Sequence, residues 1–227
     1  MSISIIWLLV LLGSQCIGAA TLNVKGAVYL PGTQEYNDVL SANWNLRVQS
    51  RAPAMIVYAQ NEDDIISCIE YAKANGLKIA VRGGGHSVRS IVTGSLVIDT
   101  SSINYIRVDS ENVTVRIGAG SVIAELQKIG FAVPAGDDPG IGMVGQSLLG
   151  GMGYSTRKYG LLVDNIVSYR MVKLSGEVVN VSANENPDLF WALRGGGGRF
   201  GIVTEMQIKV RVRLISSSDR LDVPGLF

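Results

Sequence analysis

Near the end of the chain Met206, Ile208, Val210, Val212 and Leu214 alternate with Gln207, Lys209, Arg211 and Arg213, the period of a strand with one buried face. Val113, Val115 and Ile117 alternate with Asn112, Thr114 and Arg116 and predict a second half-buried strand. Residues 166–174 and 178–181 flank Ser175-Gly176-Glu177, the pattern of a hairpin. The unbroken apolar run at 54–59 reads as a short buried strand, and 77–81 and 96–99 read as further strands. Between the first two, Ile65, Ile66, Ile69 and Ala72 fall at helical spacing. Asn61 caps this helix, Glu62, Asp63 and Asp64 suit the positive end of its dipole, and Gly76 closes it. Shorter helices are predicted at 121–129 and at 187–193, where Pro187 sits in the first turn. Residues 21–52 show turn signals at Pro31-Gly32 but no sustained period, and read as irregular. Short strands mixed with helices and a hairpin make the fold class α+β or mixed α/β.

The length of 227 residues suits one domain, or one domain with a fragment of another, and 47% apolar with 17% charged residues describes an ordinary core-forming chain. A net charge of +1 gives no sign of nucleic acid or an anionic membrane as partner. Ile5 to Leu12 is an apolar run, followed by the small residues Gly18-Ala19-Ala20, so residues 1–20 read as a secretory signal. Met1 to Ser4 lack the usual basic residue, and an apolar first strand is the other reading of this stretch. The run falls short of a membrane span, so no membrane association is expected once the signal is removed. The sequons Asn112-Val113-Thr114 and Asn180-Val181-Ser182 agree with an extracellular glycoprotein. Cleavage would remove Cys16 and leave Cys68 without a partner, so neither a disulfide nor a thiolate metal site is expected.

The 27 glycines, about 12% of the chain against a usual 7%, are clustered rather than periodic. In Arg82-Gly83-Gly84-Gly85-His86-Ser87 three glycines end a strand. Positive φ there would let successive amides point one way, forming a nest for phosphate or pyrophosphate. His86 is the only histidine of the chain, and a neutral imidazole in such a loop is a competent nucleophile. Gly140/Gly142/Gly145 and Gly196/Gly198/Gly201 match G-x-G-x-x-G, but neither follows a strand and opens a helix as a Rossmann fingerprint requires. Tight turns are the alternative reading of both.

Taken in order, VRGGGHS, PAGDDPGIGMVGQSLLGGMGYSTRKYGLLVDN and NPDLFWALRGGGGRFGIVT resemble the flavin-binding half of the berberine-bridge-enzyme-like FAD-linked oxidases, relatives of vanillyl-alcohol oxidase with a PCMH-type FAD domain. The resemblance runs over about residues 53–214. It implies a PCMH-type domain of two α/β subdomains and, together with the expected leader, a secreted FAD-dependent oxidoreductase. Hydride from a substrate C–H next to a hydroxyl or amine would pass to flavin N5, while the substrate and the catalytic residues stay unknown. His86 matches the histidine that bonds covalently to the flavin 8α-methyl. Arg82, Gly83, Gly84, Gly85, His86 and Ser87 would wrap the pyrophosphate. Ile141, Gly142, Gly145 and Gln146, with Gly150, Gly151 and Gly153, would line the ribityl and ring region. Ile202 and Val203 match the segment on the adenosine side, and Ile141 aligns with a position tied to oxygen access.

Two departures stand out. Asp138 replaces the cysteine that gives many members a second flavin bond, so attachment through His86 alone is expected. Members are also roughly twice as long, so the resemblance implies that the substrate domain is missing and residues 215–227 form a truncated tail. A non-catalytic flavin-binding fragment or carrier is therefore the alternative function. Tyr154 and Tyr159, beside the glycine-rich segment, read either as catalytic phenols or as packing.

Overall fold

The computed structural model describes residues 21–212. The expected leader at 1–20, Leu214 of the last strand and the tail at 215–227 lie outside the described residues. In chain order the elements are β1 (Val28–Tyr29), α1 (Gln34–Ser41), β2 (Met55–Tyr58), α2 (Glu62–Ala74), β3 (Lys78–Arg82), β4 (Ser95–Asp99), β5 (Ile106–Asp109) and β6 (Thr114–Gly118). They continue with α3 (Ile123–Lys128), β7 (Phe131–Ala132), α4 (Met143–Ser147), α5 (Thr156–Tyr159), β8 (Ile166–Val172), β9 (Val178–Ser182), α6 (Pro187–Gly196), β10 (Ile202–Lys209) and β11 (Arg211–Val212).

The first sheet has the order β1-β2-β4-β3, with β2, β4 and β3 parallel and β1 antiparallel at the edge. Ile56, Ala80 and Val97 point to one face and pack with Tyr36, Val39 and Leu40 of α1. Val57, Leu96 and Ile98 point to the other and pack with Ile65, Cys68, Ile69 and Ala72 of α2. Helices on both faces explain why β2 reads as an unbroken apolar run. The second sheet is antiparallel, in the order β5-β6-β10-β8-β9. Val115, Ile117, Tyr169, Met171, Met206 and Ile208 form its buried face, covered by Ile123, Leu126, Met143 and Leu193 from the helices. The fold is thus the mixed α+β arrangement expected from the periodicities.

Helix α2 is shared by both sheets. Arg170 of β8 grips Glu62 with two hydrogen bonds of 2.7 and 2.8 Å, and the Thr204 hydroxyl of β10 donates to the same carboxylate at 2.8 Å. Val172 and Ile202 join the apolar cluster around α2. Asn61 caps the helix as expected, its side chain accepting from the Asp64 amide at 3.0 Å. Asp64 is itself buried and accepts the backbone amides of Lys25, Gly26 and Gln60 at 2.8, 3.2 and 2.8 Å.

The stretch at 21–52 departs from its irregular reading. It holds β1, α1 and a 3-10 turn at Leu46–Val48. The Thr33 hydroxyl starts α1 by accepting the Tyr36 amide, and three buried residues anchor the helix. Val113 adopts φ 52° in the turn between β5 and β6 and is exposed, so the alternation predicted from Asn112 begins only at Thr114. The closing strand starts at Ile202, earlier than its alternation suggests, and pauses at Val210.

Asp64→Ala would strip the acceptor from three backbone amides, and unfolding in urea should show a loss of about 2–4 kcal/mol. Burial, reinforced by the nearby Asp64 carboxylate, pushes the Cys68 thiol up to about 12. The thiol therefore stays protonated at pH 7–9. Peptide mapping after iodoacetamide treatment should find Cys68 unmodified in the folded protein and modified in urea.

Candidate functional site

The parallel strands β3 and β4 end side by side at Arg82 and Asp99, at the carboxyl edge where open α/β sheets bind ligands. Arg82 turns its guanidinium back to the buried Asp99 at 2.6 Å and donates to Asn43 Oδ1 at 3.1 Å. Its carbonyl accepts the Thr100 amide and hydroxyl. Arg82 therefore fixes the root of the loop from below, and its charge is largely spent on Asp99. Tyr58 lies in the same neighbourhood, and burial, then the Asp99 carboxylate, holds its hydroxyl above the usual range.

Only Gly85 of the three glycines uses positive φ, at 72°. Gly84 is required by space: a Cβ there would lie 2.4 Å from the Gly142 nitrogen and 2.6 Å from the Gly140 carbonyl oxygen. Reciprocally, a Cβ on Gly142 would sit 2.7 Å from the Gly84 nitrogen. Two glycine clusters far apart in sequence thus touch backbone to backbone. Among the described residues no acceptor takes the amides of Gly83, Gly84, Gly85 or His86. Such free, clustered N–H groups are the chemistry of an anion site.

The second loop is shaped by Asp138. Its Oδ1 accepts the Gly140 amide at 2.7 Å, a short Asx turn, and Ile123 donates its amide to the Ile141 carbonyl at 3.1 Å. Gln146 closes the loop by accepting the Gly136 amide at 3.1 Å. Gly150 and Gly151 take positive φ. Gly151 lies against Leu162 and Gly153 against the Ala135 carbonyl, so both glycines meet a steric need inside the chain itself. Gly145 is exposed, with open space where a Cβ would go.

His86 lies between these loops, and three residues of the N-terminal segment surround it. Asn43 is buried and donates to the Gly85 carbonyl at 2.9 Å, and Asn45 donates to the His86 carbonyl at 3.0 Å. The Trp44 indole stacks on the imidazole at 4.4 Å and 17°. The Nε2 of His86 is buried without a hydrogen-bond partner, and Asp138 Oδ1 stands 3.9 Å away. Ser87 caps the turn beyond, accepting the Arg89 amide on its hydroxyl. Local patterns gave no hint of Asn43, Trp44 and Asn45; the available signal was a run of hydrogen-bonding and aromatic residues, Asn-Trp-Asn, in a stretch without period.

Ile202 and Val203 stand one strand away. Gly83 approaches the Ala119 carbonyl, and Ala119 in turn donates its amide to Thr204. Their side chains are buried in the cores on opposite faces of β10, so only backbone could reach a ligand. Gly197 and Gly201 take positive φ in the turn leading into β10, in keeping with the tight-turn reading of that cluster. Tyr154 is 90% exposed, and Tyr159 packs beneath the Lys158 ammonium.

Residues 53–182 match the family model of the FAD binding domain. The chain belongs to that family. It is 36% identical over 198 residues to (R)-6-hydroxynicotine oxidase of Paenarthrobacter nicotinovorans, covering 85% of this chain and 43% of that protein. Among solved structures, the BBE-like 1 protein of Physcomitrella patens superposes with a TM-score of 0.77 at 33% identity, over 83% of this chain and 42% of its own. Glucooligosaccharide oxidase of Acremonium strictum, described with a 6-S-cysteinyl, 8α-N1-histidyl FAD, superposes at 0.73 with 30% identity, over 82% and 40%. The chain thus spans under half the length of these relatives. It is an FAD-binding domain of the berberine-bridge-enzyme-like FAD-linked oxidoreductases. The unpaired amides of residues 83–86 suit the pyrophosphate of that cofactor.

Gly84→Ala in this FAD-binding domain forces the loops apart and should cost about 2–4 kcal/mol in urea unfolding. Gly145→Ala, in α4 with open space around it, should instead stabilise by about 0.5–1 kcal/mol.

Proposed function

We propose that this domain serves a secreted FAD-dependent oxidoreductase and holds its flavin by a single covalent bond through His86. The observation that carries the reading is the loop of free amides that ends in His86, on a domain of the FAD-binding family. Bound FAD supplies two-electron chemistry, accepting hydride at N5 from a carbon that bears a hydroxyl or amine. The chain supplies the rest. The amides of Gly83, Gly84, Gly85 and His86 offset the pyrophosphate charge. Gly84 and Gly142, lacking Cβ atoms, let the two loops close on each other and hold those amides in place. Arg82, pinned to Asp99 and Asn43, keeps the loop from opening. Ile141, half-buried in the second loop, would line the ring side and bear on oxygen access.

The relatives' names support the oxidase class, and Asp138 supports attachment at one point, since a carboxylate forms no thioether. Asn112 and Asn180 are both exposed, in the turn before β6 and on β9, which suits the glycosylation of an extracellular protein. Denaturing the loaded protein in acid should leave the flavin with the polypeptide, and His86→Ala should release all of it to the supernatant. Complete release from the parent protein would overturn the tether. Bleaching of the flavin band by a substrate alcohol or amine supports the enzyme reading, and a stable yellow protein without turnover supports the carrier.

A further inference from the structure

We infer that Asp138 and Trp44 are positioning residues for His86, holding the ring so that Nδ1 forms the flavin bond while Nε2 faces the carboxylate. The inference rests on His86 being the tether. The imidazole is clamped from two directions. Trp44 covers one face at 4.4 Å and 17°, although 58% of Trp44 is exposed, so core burial does not account for its placement. The Trp44 Nε1 donates to Asp138 Oδ2 at 3.0 Å, while the Gly140 amide donates to Oδ1 at 2.7 Å. One carboxylate is therefore fixed by the N-terminal segment and by the second glycine loop together. Its Oδ1 stands 3.9 Å from His86 Nε2, the buried ring nitrogen that has no other partner.

At 3.9 Å the pair lies beyond the reach of an N–H···O bond, about 2.7–3.2 Å, so the carboxylate acts on the ring through its charge. In neutral imidazole one nitrogen carries the proton and the other the lone pair, and the partner of one nitrogen decides the tautomer. A carboxylate beside Nε2 favours the proton there and leaves the lone pair on Nδ1. As Nδ1 bonds to the carbon of the 8α-methyl, positive charge grows on the ring. Asp138 stabilises that charge and accepts the Nε2 proton. In the whole change the N–H proton and one methyl hydrogen are lost with two electrons, and dioxygen takes them up as hydrogen peroxide. The sequence singled out Asp138 only as a missing cysteine; the geometry gives it work of its own.

The test uses the full chain prepared without flavin and mixed with saturating FAD. Covalent incorporation is followed as the fluorescence that survives denaturation. Asp138→Asn and Trp44→Phe should slow the first-order incorporation at least about tenfold, and Asp138→Glu should restore part of the rate. NMR of the flavin peptide cut from the parent protein should show the bond at Nδ1. A bond at Nε2, or Asp138→Asn incorporating at the parent's rate, overturns the positioning role while leaving the tether intact. A parent protein that incorporates no flavin covalently overturns the tether, and this inference with it.

Discussion

Gly84 and Gly142 meet with no room between them for a methyl group, and the free energy of that contact comes from neither glycine. It is maintained by what stands behind each loop: Asp99 and Asn43 behind the first, Asp138, Gln146 and the strand-like contact of Ile141 with Ile123 behind the second. Glycine tolerates the approach but does not cause it. The cause is the meeting of two sheet edges. The carboxyl ends of β3 and β4 come to the point where β6 ends and β10 begins, and α2 locks the sheets in that relation through Glu62, Arg170 and Thr204. A cradle of backbone amides can then keep its shape before any ligand arrives, which spares part of the ordering cost of binding.

Much of this frame was legible in the sequence. The apolar runs of β2 and β4, the Asn61 cap of α2 and the hairpin of β8 and β9 each follow from patterns within one short stretch of chain. The glycine loop was legible as a place of close backbone approach for the same reason, although its geometry differs in detail. Positive φ is needed at Gly85 alone, and Gly84 is small because of Gly142. That second fact lies between segments 58 residues apart in number and leaves no local trace.

What escaped the sequence shares one property. Helix α1 has a single narrow stripe of Tyr36, Val39 and Leu40 over eight residues, too short to establish a period. Asn43, Trp44 and Asn45 take their meaning from Gly85, His86 and Asp138, and nothing in their own neighbourhood announces it. The glycines at 151 and 153 were legible as important, but the structure supplies a packing reason for each inside the chain. A glycine-rich stretch signals close approach without saying whether the approaching group is a ligand or the protein itself.

The N-terminal placement of Asn43 and its neighbours bears on where this domain should be cut. A fragment trimmed to the span that matches the family model, residues 53–182, would keep every residue from Arg82 to Ser87 and the whole of the Asp138 loop. It would nonetheless lose the amide that holds the Gly85 carbonyl, the indole over His86 and β10 between β6 and β8. By sequence criteria the motif would look complete, while its imidazole would be free to turn. The functional boundary of this domain therefore lies upstream of Asn43, and at Lys25 and Gly26 if the helix that joins the sheets is to keep its buried aspartate satisfied.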